Sequence, residues 1–152
     1  MIYEDLDLWV LTRLNQAIKS ATEEFEKYEY CNARTAAEDF FWNDFCDNYL
    51  ELVKVRVYAE QAEIDKKAQI SAVHTIYHCL DGILRLFAPF VPHITDELYS
   101  HIFVDKFESI GGSIHSRGSW PNYNDYPSNK QAEQSGITVS YTHLTLPTSP
   151  KV

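Results

Sequence analysis

The chain has 152 residues, enough for one domain with a sizeable core, and its 45% hydrophobic and 14% aromatic content excludes a disordered polymer. No apolar run approaches the roughly 20 residues that span a bilayer, and the acidic start MIYEDLD lacks a basic segment ahead of an apolar one, so neither a membrane helix nor a secretory signal is expected. The formal charge of −9 argues against nucleic acid as a partner of the chain as a whole, although a local basic strip can still act within an acidic total.

Cys31, Cys46 and Cys79 are widely spaced and form no CxxC, the usage expected of reduced thiols in a cytoplasmic protein. The first helical pattern runs over about 5–27, where Leu6, Val10, Leu14, Ala17 or Ile18, Ala21 and Phe25 recur at three- and four-residue steps. Asp5 is the expected N-cap, and Asp7 adds negative charge where the helix dipole favours it. A short connection at 28–31, with Asn32 as a candidate cap, predicts an antiparallel second helix over about 33–58. Its aromatic stretch FFWNDFCDNYL predicts a central element, with Ala37, Phe41, Phe45, Tyr49, Leu52 and Arg56 on one side and Phe40, Trp42 and Cys46 widening the apolar surface.

The third helix is expected over about 67–88, its seam being Ile70, Val73, Tyr77, Leu80, Leu84 and Phe87. Pro89 and Pro92 end it, and a shorter helix restarts over about 94–103 with Ile94, Leu98 and Ile102 at i, i+4, i+8. Residues 104–138 read as mostly loop, punctuated by Gly111, Gly112, Gly118, Pro121 and Pro127, with 113–120 a possible extended piece pinning Trp120 on the bundle. The fold class is therefore all-α, an antiparallel bundle of about four helices with an irregular C-terminal segment. Residues 139–152 are Thr- and Pro-rich and look like translated adapter sequence, so the natural chain is expected to continue differently after about Thr138.

No catalytic constellation emerges. Gly111 and Gly112 do not sit between a strand and a helix, as a phosphate-cradling loop requires. His74 and His78 form the single i, i+4 histidine pair but lack a Glu or Cys at ligand spacing, so two polar-edge histidines are expected and no metal. Asp44, Asp47 and Glu51 line successive turns and read as a solvated or Arg-pairing face. Asp81, beside Gly82 within the third helix, reads as a buried hydrogen-bond partner.

Four ordered motifs, DLWVLTRLN (7–15), FFWNDFCDNYLELVK (40–54), LRLFAPFVPHITDELY (84–99) and SIHSRGSWP (113–121), together resemble the helical anticodon-binding domain of valyl-tRNA synthetases. The resemblance covers about residues 5–138 and is closest to the archaeal-like branch; leucyl, isoleucyl and methionyl enzymes carry related versions of the first and third motifs, and the nearer alternative is the same module of an isoleucyl or leucyl enzyme. It implies a tRNA-binding module of a larger ligase, whose partners are the anticodon stem-loop of tRNA-Val and the remaining domains of the enzyme, with no membrane. The HIGH- and KMSKS-type motifs of the adenylation domain are absent, so no cofactor is expected in this chain; ATP and Mg belong to the family's catalytic domain.

Proteins read single-stranded loops by stacking splayed bases on aromatic faces and bonding their edges. Trp9, Arg13 and Gln16, at i, i+4, i+7 on the first helix, are candidates for a stacking surface, a phosphate or base-edge donor and a bidentate amide. The alternative makes Trp9 a core anchor, Arg13 the partner of a carboxylate such as Asp47, and Gln16 a solvated helix position. Lys54 and Arg56 are candidates for phosphate contact, or simply a solvated helix end. Trp42 is expected in the core. The rival of another class is a helical-bundle interaction module with no RNA role.

Overall fold

A computed structural model describes residues 4–58, 66–114 and 118–127, all helix, turn or irregular chain with no strand among the described residues. Helix α1 (Asp5–Glu26) is followed, after Tyr28 in a left-handed conformation (φ 61°), by α2 (Tyr30–Asp39), a π-helical segment (Phe40–Tyr49) and α3 (Leu50–Val57). These last three form one rod that packs antiparallel against α1. Then come α4 (Lys66–Phe87), α5 (Pro92–Ile102) and α6 (Val104–Ile110). The bundle is all-α, as expected.

The main core lies between α1, the rod and α4, and is built on Val10, Leu11, Leu14, Ile18, Phe40, Phe45, Tyr49, Val53 and Leu86. A smaller core joins α4, α5 and α6 through Leu84, Ala88, Tyr99, Phe103 and Ile114. Pro92 opens α5 at the position where a missing N–H costs least.

Several local expectations change. Glu4, not Asp5, is the N-cap of α1, with no side-chain cap. Asn32 lies inside α2 and donates to the Glu24 carboxylate at 3.1 Å instead of capping. Residues 104–110 are helix instead of loop, and α6 closes on Gly111 in the left-handed region (φ 71°), where a side chain would be strained. The expected boundary near Thr138 and the tail 139–152 lie outside the described residues.

The rod's register departs from simple helical spacing. A π-turn closes at five residues, so Phe45 comes to lie beneath Phe40, their rings 6.4 Å apart, and Tyr49 follows Phe45 at 6.3 Å. The buried line is thus Ala37, Phe40, Phe45, Tyr49 and Val53. Phe41 and Leu52, expected on it, are only half-buried. Trp42, two residues beyond Phe40, turns to the far side and is 59% exposed, against the expectation of a core residue. Asn48 supports the widened turns by donating to the Asn43 carbonyl at 2.9 Å.

The α4 seam also shifts. Ile70, Val73 and Tyr77 face outward, while Ala72, Thr75, Cys79, Gly82 and Leu86 form the buried line at steps of three and four. The reason is close approach: a methyl group on Gly82 would stand 2.9 Å from both Leu14 methyls. Small residues let α4 sit directly on α1. Only Leu80, Leu84 and Phe87 of the expected seam pack inward.

Candidate nucleic-acid interface

Two of the five candidate contact residues belong to the interior. Trp9 is 3% exposed and packs in the main core, and its indole N–H has no acceptor among the described residues. Its ring is a packing element, not a platform open to a base. Arg56 sends its guanidinium inward to Asp7, whose carboxylate is fully buried. Nη2 donates to Oδ1 at 2.8 Å and Nη1 to Oδ2 at 3.0 Å, a two-pronged pair that also engages the Ala68 carbonyl.

Asp7 accepts further from Tyr49 Oη at 2.6 Å and from Ser71 Oγ, and Ser71 Oγ accepts the Glu4 N–H. One carboxylate therefore ties α1, the π-helical segment, α3 and α4 together. Burial, then the adjacent Asp7, pushes the Tyr49 phenol far above its usual range, so it stays a donor. Asp7 stands in the first turn of α1, as expected, and also centres this network. Leaving either partner of such a buried pair alone is costly.

A second hub lies at the other core. Asp81, 2% exposed, accepts from Tyr99 Oη at 2.8 Å and Tyr126 Oη at 2.5 Å, and pairs with Arg85 and Lys106 at 3.3 Å each. Burial raises its carboxyl, but the Tyr126 and Tyr99 hydrogen bonds with the Lys106 and Arg85 charges outweigh this and hold it below its usual value. Arg85 also donates to the Ser119 carbonyl and hydroxyl, both at 3.1 Å. The loop carrying Trp120 is thereby fixed, and the Trp120 N–H donates to Thr22 Oγ1 at 2.8 Å. The hydrogen-bonding role expected of Asp81 and the pinning of Trp120 are both present.

Arg13, Gln16 and Lys54 remain at the surface. Arg13 Nε meets Asp44 at 3.1 Å and its Nη1 donates to Gln16 Oε1 at 3.1 Å, in a cleft of about 230 Å³ between α1 and the rod. The expected acidic partner is thus one turn earlier than Asp47. Burial raises the Asp44 carboxyl above its usual value despite the Arg13 charge. Lys54 pairs with Glu51 at 2.7 Å on the exposed side of α3. The five residues do not form one face: three are outward and two are internal.

A surface that sequence reading missed runs along the rod. Tyr30, Arg34, Glu38 and Trp42 follow one another at steps of four. Tyr30 is 53% and Trp42 59% exposed, and between them Arg34 pairs with Glu38 at 3.5 Å, both largely exposed. The rings are braced from behind. Tyr30 tilts against Phe25 at 5.7 Å, and Trp42 stands edge-on to Phe41 at 4.9 Å, which in turn packs on Phe87 at 5.9 Å. Exposed Tyr28 extends the run, edge-on to Tyr30 at 6.4 Å. The four-residue spacing was visible in the sequence; the outward turn of Trp42 was hidden by the π-helical register.

Among the described residues no group of three His, Cys, Asp or Glu could hold a metal, and no helix is long and apolar enough to cross a membrane. His74 is exposed and His78 half-buried; burial, then the neighbouring Lys106 charge, keeps the His78 ring toward its neutral form.

Residues 7–142 match the family described as the anticodon-binding domain of tRNA ligase. The valine–tRNA ligase of Wolbachia sp. subsp. Brugia malayi is 42% identical over 135 residues, 89% of this chain and 15% of the relative. That of Ehrlichia ruminantium (strain Gardel) is 45% identical over 135 residues, 89% of this chain and 16% of the relative. That of Rickettsia felis is 44% identical over 124 residues, 82% of this chain and 14% of the relative. The chain thus spans 14–16% of the length of these relatives.

Proposed function

The chain belongs to the family of anticodon-binding domains of tRNA ligases, and from that premise we propose that it holds the anticodon stem-loop of tRNA-Val for a valine–tRNA ligase. It acts without chemistry of its own, keeping the tRNA in place while a separate catalytic domain of the same cytoplasmic enzyme joins valine to the distant 3′ end.

The observation that carries this reading is the ridge of Tyr30, Arg34 and Trp42 on the rod. The backbone positions of its two rings lie roughly 18 Å apart along the rod at 1.5 Å per residue. That is about five steps of a stacked strand at roughly 3.4 Å per nucleotide, so each ring takes a different base. Every base offers a π-face, and stacking is worth about 1–3 kcal/mol per base. The Arg34–Glu38 pair between them is exposed and worth little, so its guanidinium can be released to a phosphate or a base edge at small cost. Arg13 and Gln16 supply further donors from the α1 cleft, and Lys54 a phosphate contact. Recognition led by ring faces also suits an acidic chain, because stacking needs no net positive charge.

The test is the affinity of the full-length ligase for tRNA-Val with Tyr30→Ala, Arg34→Ala and Trp42→Ala, each at two salt concentrations. Loss of affinity at Tyr30 and Trp42, with a shallower salt slope for Arg34→Ala, is the expected outcome. Unchanged affinity in all three variants would show that the tRNA lies elsewhere.

A further inference from the structure

Three adjoining cavities, of about 330, 220 and 380 Å³, follow one another along the C-terminal half of α4 beneath the loop 118–120. Arg85, Ile114 and Ser119 line both the first and the second, and Pro89 and Trp120 both the second and the third. They form one groove, and its two ends differ in chemistry. At the first end stand Lys106 and Arg85, both 3.3 Å from Asp81. The Asp81 carboxylate also accepts from Tyr99 and Tyr126, so its lone pairs are taken, and one negative charge faces two positive ones. Asp125, 3.5 Å from Arg85, pairs with it without lining this end. The Lys106 ammonium has three hydrogens and gives one to Asp81, which leaves donors for a second acceptor. The Ser119 hydroxyl accepts from Arg85 Nη2 at 3.1 Å, which leaves its own proton to donate. Such a set suits an anion with several oxygens.

At the other end, Phe25 and Trp120 meet edge to face at 5.0 Å and 87°, and Pro89 completes an apolar slot. The Trp120 N–H, held by Thr22 Oγ1 at 2.8 Å, fixes the ring in place. A flat ring laid on one of these faces meets the edge of the other, and both arrangements are favourable between aromatic systems. Among the described residues no cation lines this end; Glu26 does, and its carboxylate accepts amino hydrogens of a base but repels a phosphate. From Asp81 to Pro89 the floor of the groove is roughly 12 Å long at 1.5 Å per residue.

We propose that this groove takes one nucleotide, its base in the Phe25–Trp120 slot and its phosphates directed to Lys106 and Ser119. An inorganic anion alone leaves the aromatic slot empty, and a purely apolar ligand leaves the cationic end unmet. A nucleotide of a single-stranded RNA and a free nucleotide present this same chemistry. The inference does not use the α2 ridge and stands whether or not RNA meets those rings.

The full-length polypeptide is photolabelled with 8-azidoguanosine 5′-diphosphate, and the modified peptides are identified by mass spectrometry. Label is expected on peptides carrying Phe25 or Trp120. Half-saturation should rise roughly tenfold or more for 8-azidoguanosine, which lacks the phosphates, and by a similar factor for the diphosphate with Lys106→Gln. Labelling by the nucleoside should be the same in Lys106→Gln as in the native protein, which separates a lost phosphate contact from a collapsed groove. Should Lys106→Gln lose both labels, Ser119→Ala carries the same comparison, with about a threefold rise expected. Protection by a single-stranded oligoribonucleotide at concentrations where GDP gives none assigns the nucleotide to an RNA strand, and protection by GDP alone assigns it to the free pool. Label absent from both peptides, or equal half-saturation with and without the phosphates, overturns the proposal.

Discussion

Asp7 and Arg56, 49 residues apart in the chain, meet as a two-pronged pair at 2.8 and 3.0 Å with the carboxylate wholly out of solvent. Arg56→Met leaves that carboxylate buried beside Tyr49 and Ser71 with no opposing charge. A loss of roughly 3–5 kcal/mol in urea unfolding is expected, with much of it recovered in Asp7→Asn/Arg56→Met. An Arg56 serving only as a phosphate contact would leave stability unchanged and weaken RNA binding alone.

Trp9 takes the core position that was one of its two readings, whereas Trp42, expected in the core, stands at the surface. Trp9→Ala opens a cavity in the main core and should cost roughly 3–5 kcal/mol. Trp9→Phe keeps most of the ring and removes an indole N–H that has no acceptor, so it should cost much less. Trp42→Ala, at an exposed position, should change stability by no more than about 0.5 kcal/mol. Thermal unfolding of the three variants checks the ordering.

Gly82 makes a prediction of sign. In the native protein Gly82→Ala gains roughly 1 kcal/mol of helix propensity but drives a methyl to 2.9 Å from buried Leu14, and overpacking of this kind costs about 1–3 kcal/mol. A net destabilisation is expected. In a Leu14→Ala background the obstruction is gone, and the same Gly82→Ala substitution should stabilise. Additive effects in the double-mutant cycle would contradict the close approach of α4 to α1.

How far these relationships were legible depended on their range. Periodicity located α1 and α4, the two prolines placed the α4–α5 break, and Asp81 beside Gly82 marked a buried hydrogen bond. Those signals are local. The pairing of Asp7 with Arg56 is not, because nothing in helical spacing tells a carboxylate in a first turn which distant guanidinium it will meet. The outward seam of α4 misled for a related reason: large aliphatic residues at heptad spacing look buried, but the tightest contact uses Ala72, Thr75, Cys79 and Gly82. Helix α6 was readable from Val104, Phe107 and Ile110 followed by Gly111, and the density of later glycines and prolines obscured it. The α2 ridge was hidden by the π-helical register that turns Trp42 outward.

Asp81 sets a pH dependence with a definite sign. Burial raises its carboxyl, but the Tyr126 and Tyr99 hydrogen bonds and the Lys106 and Arg85 charges overcome this and hold it below the ordinary carboxylate value. The folded state therefore binds a proton at this site less readily than the unfolded one. The resulting stability is fully present above the ordinary carboxylate value and is lost as pH falls through the lower folded value. Asp44, whose carboxyl is raised mainly by burial, acts in the opposite sense, contributing below its unfolded value and losing that contribution as pH rises. Asp81→Asn should be less stable than the native protein at pH 7, and the difference should narrow below about pH 4. A difference that stays constant with pH would contradict the network's charge.

The most direct measurement is the affinity of the full-length ligase for tRNA-Val at fixed salt, comparing Trp42→Ala and Tyr30→Ala with the native protein after each variant is shown to retain its fold. A base stacked on either ring is worth about 1–3 kcal/mol, so each substitution should weaken binding by roughly 5- to 150-fold. Native affinity in both variants would mean that the exposed rings of the rod do not meet the tRNA.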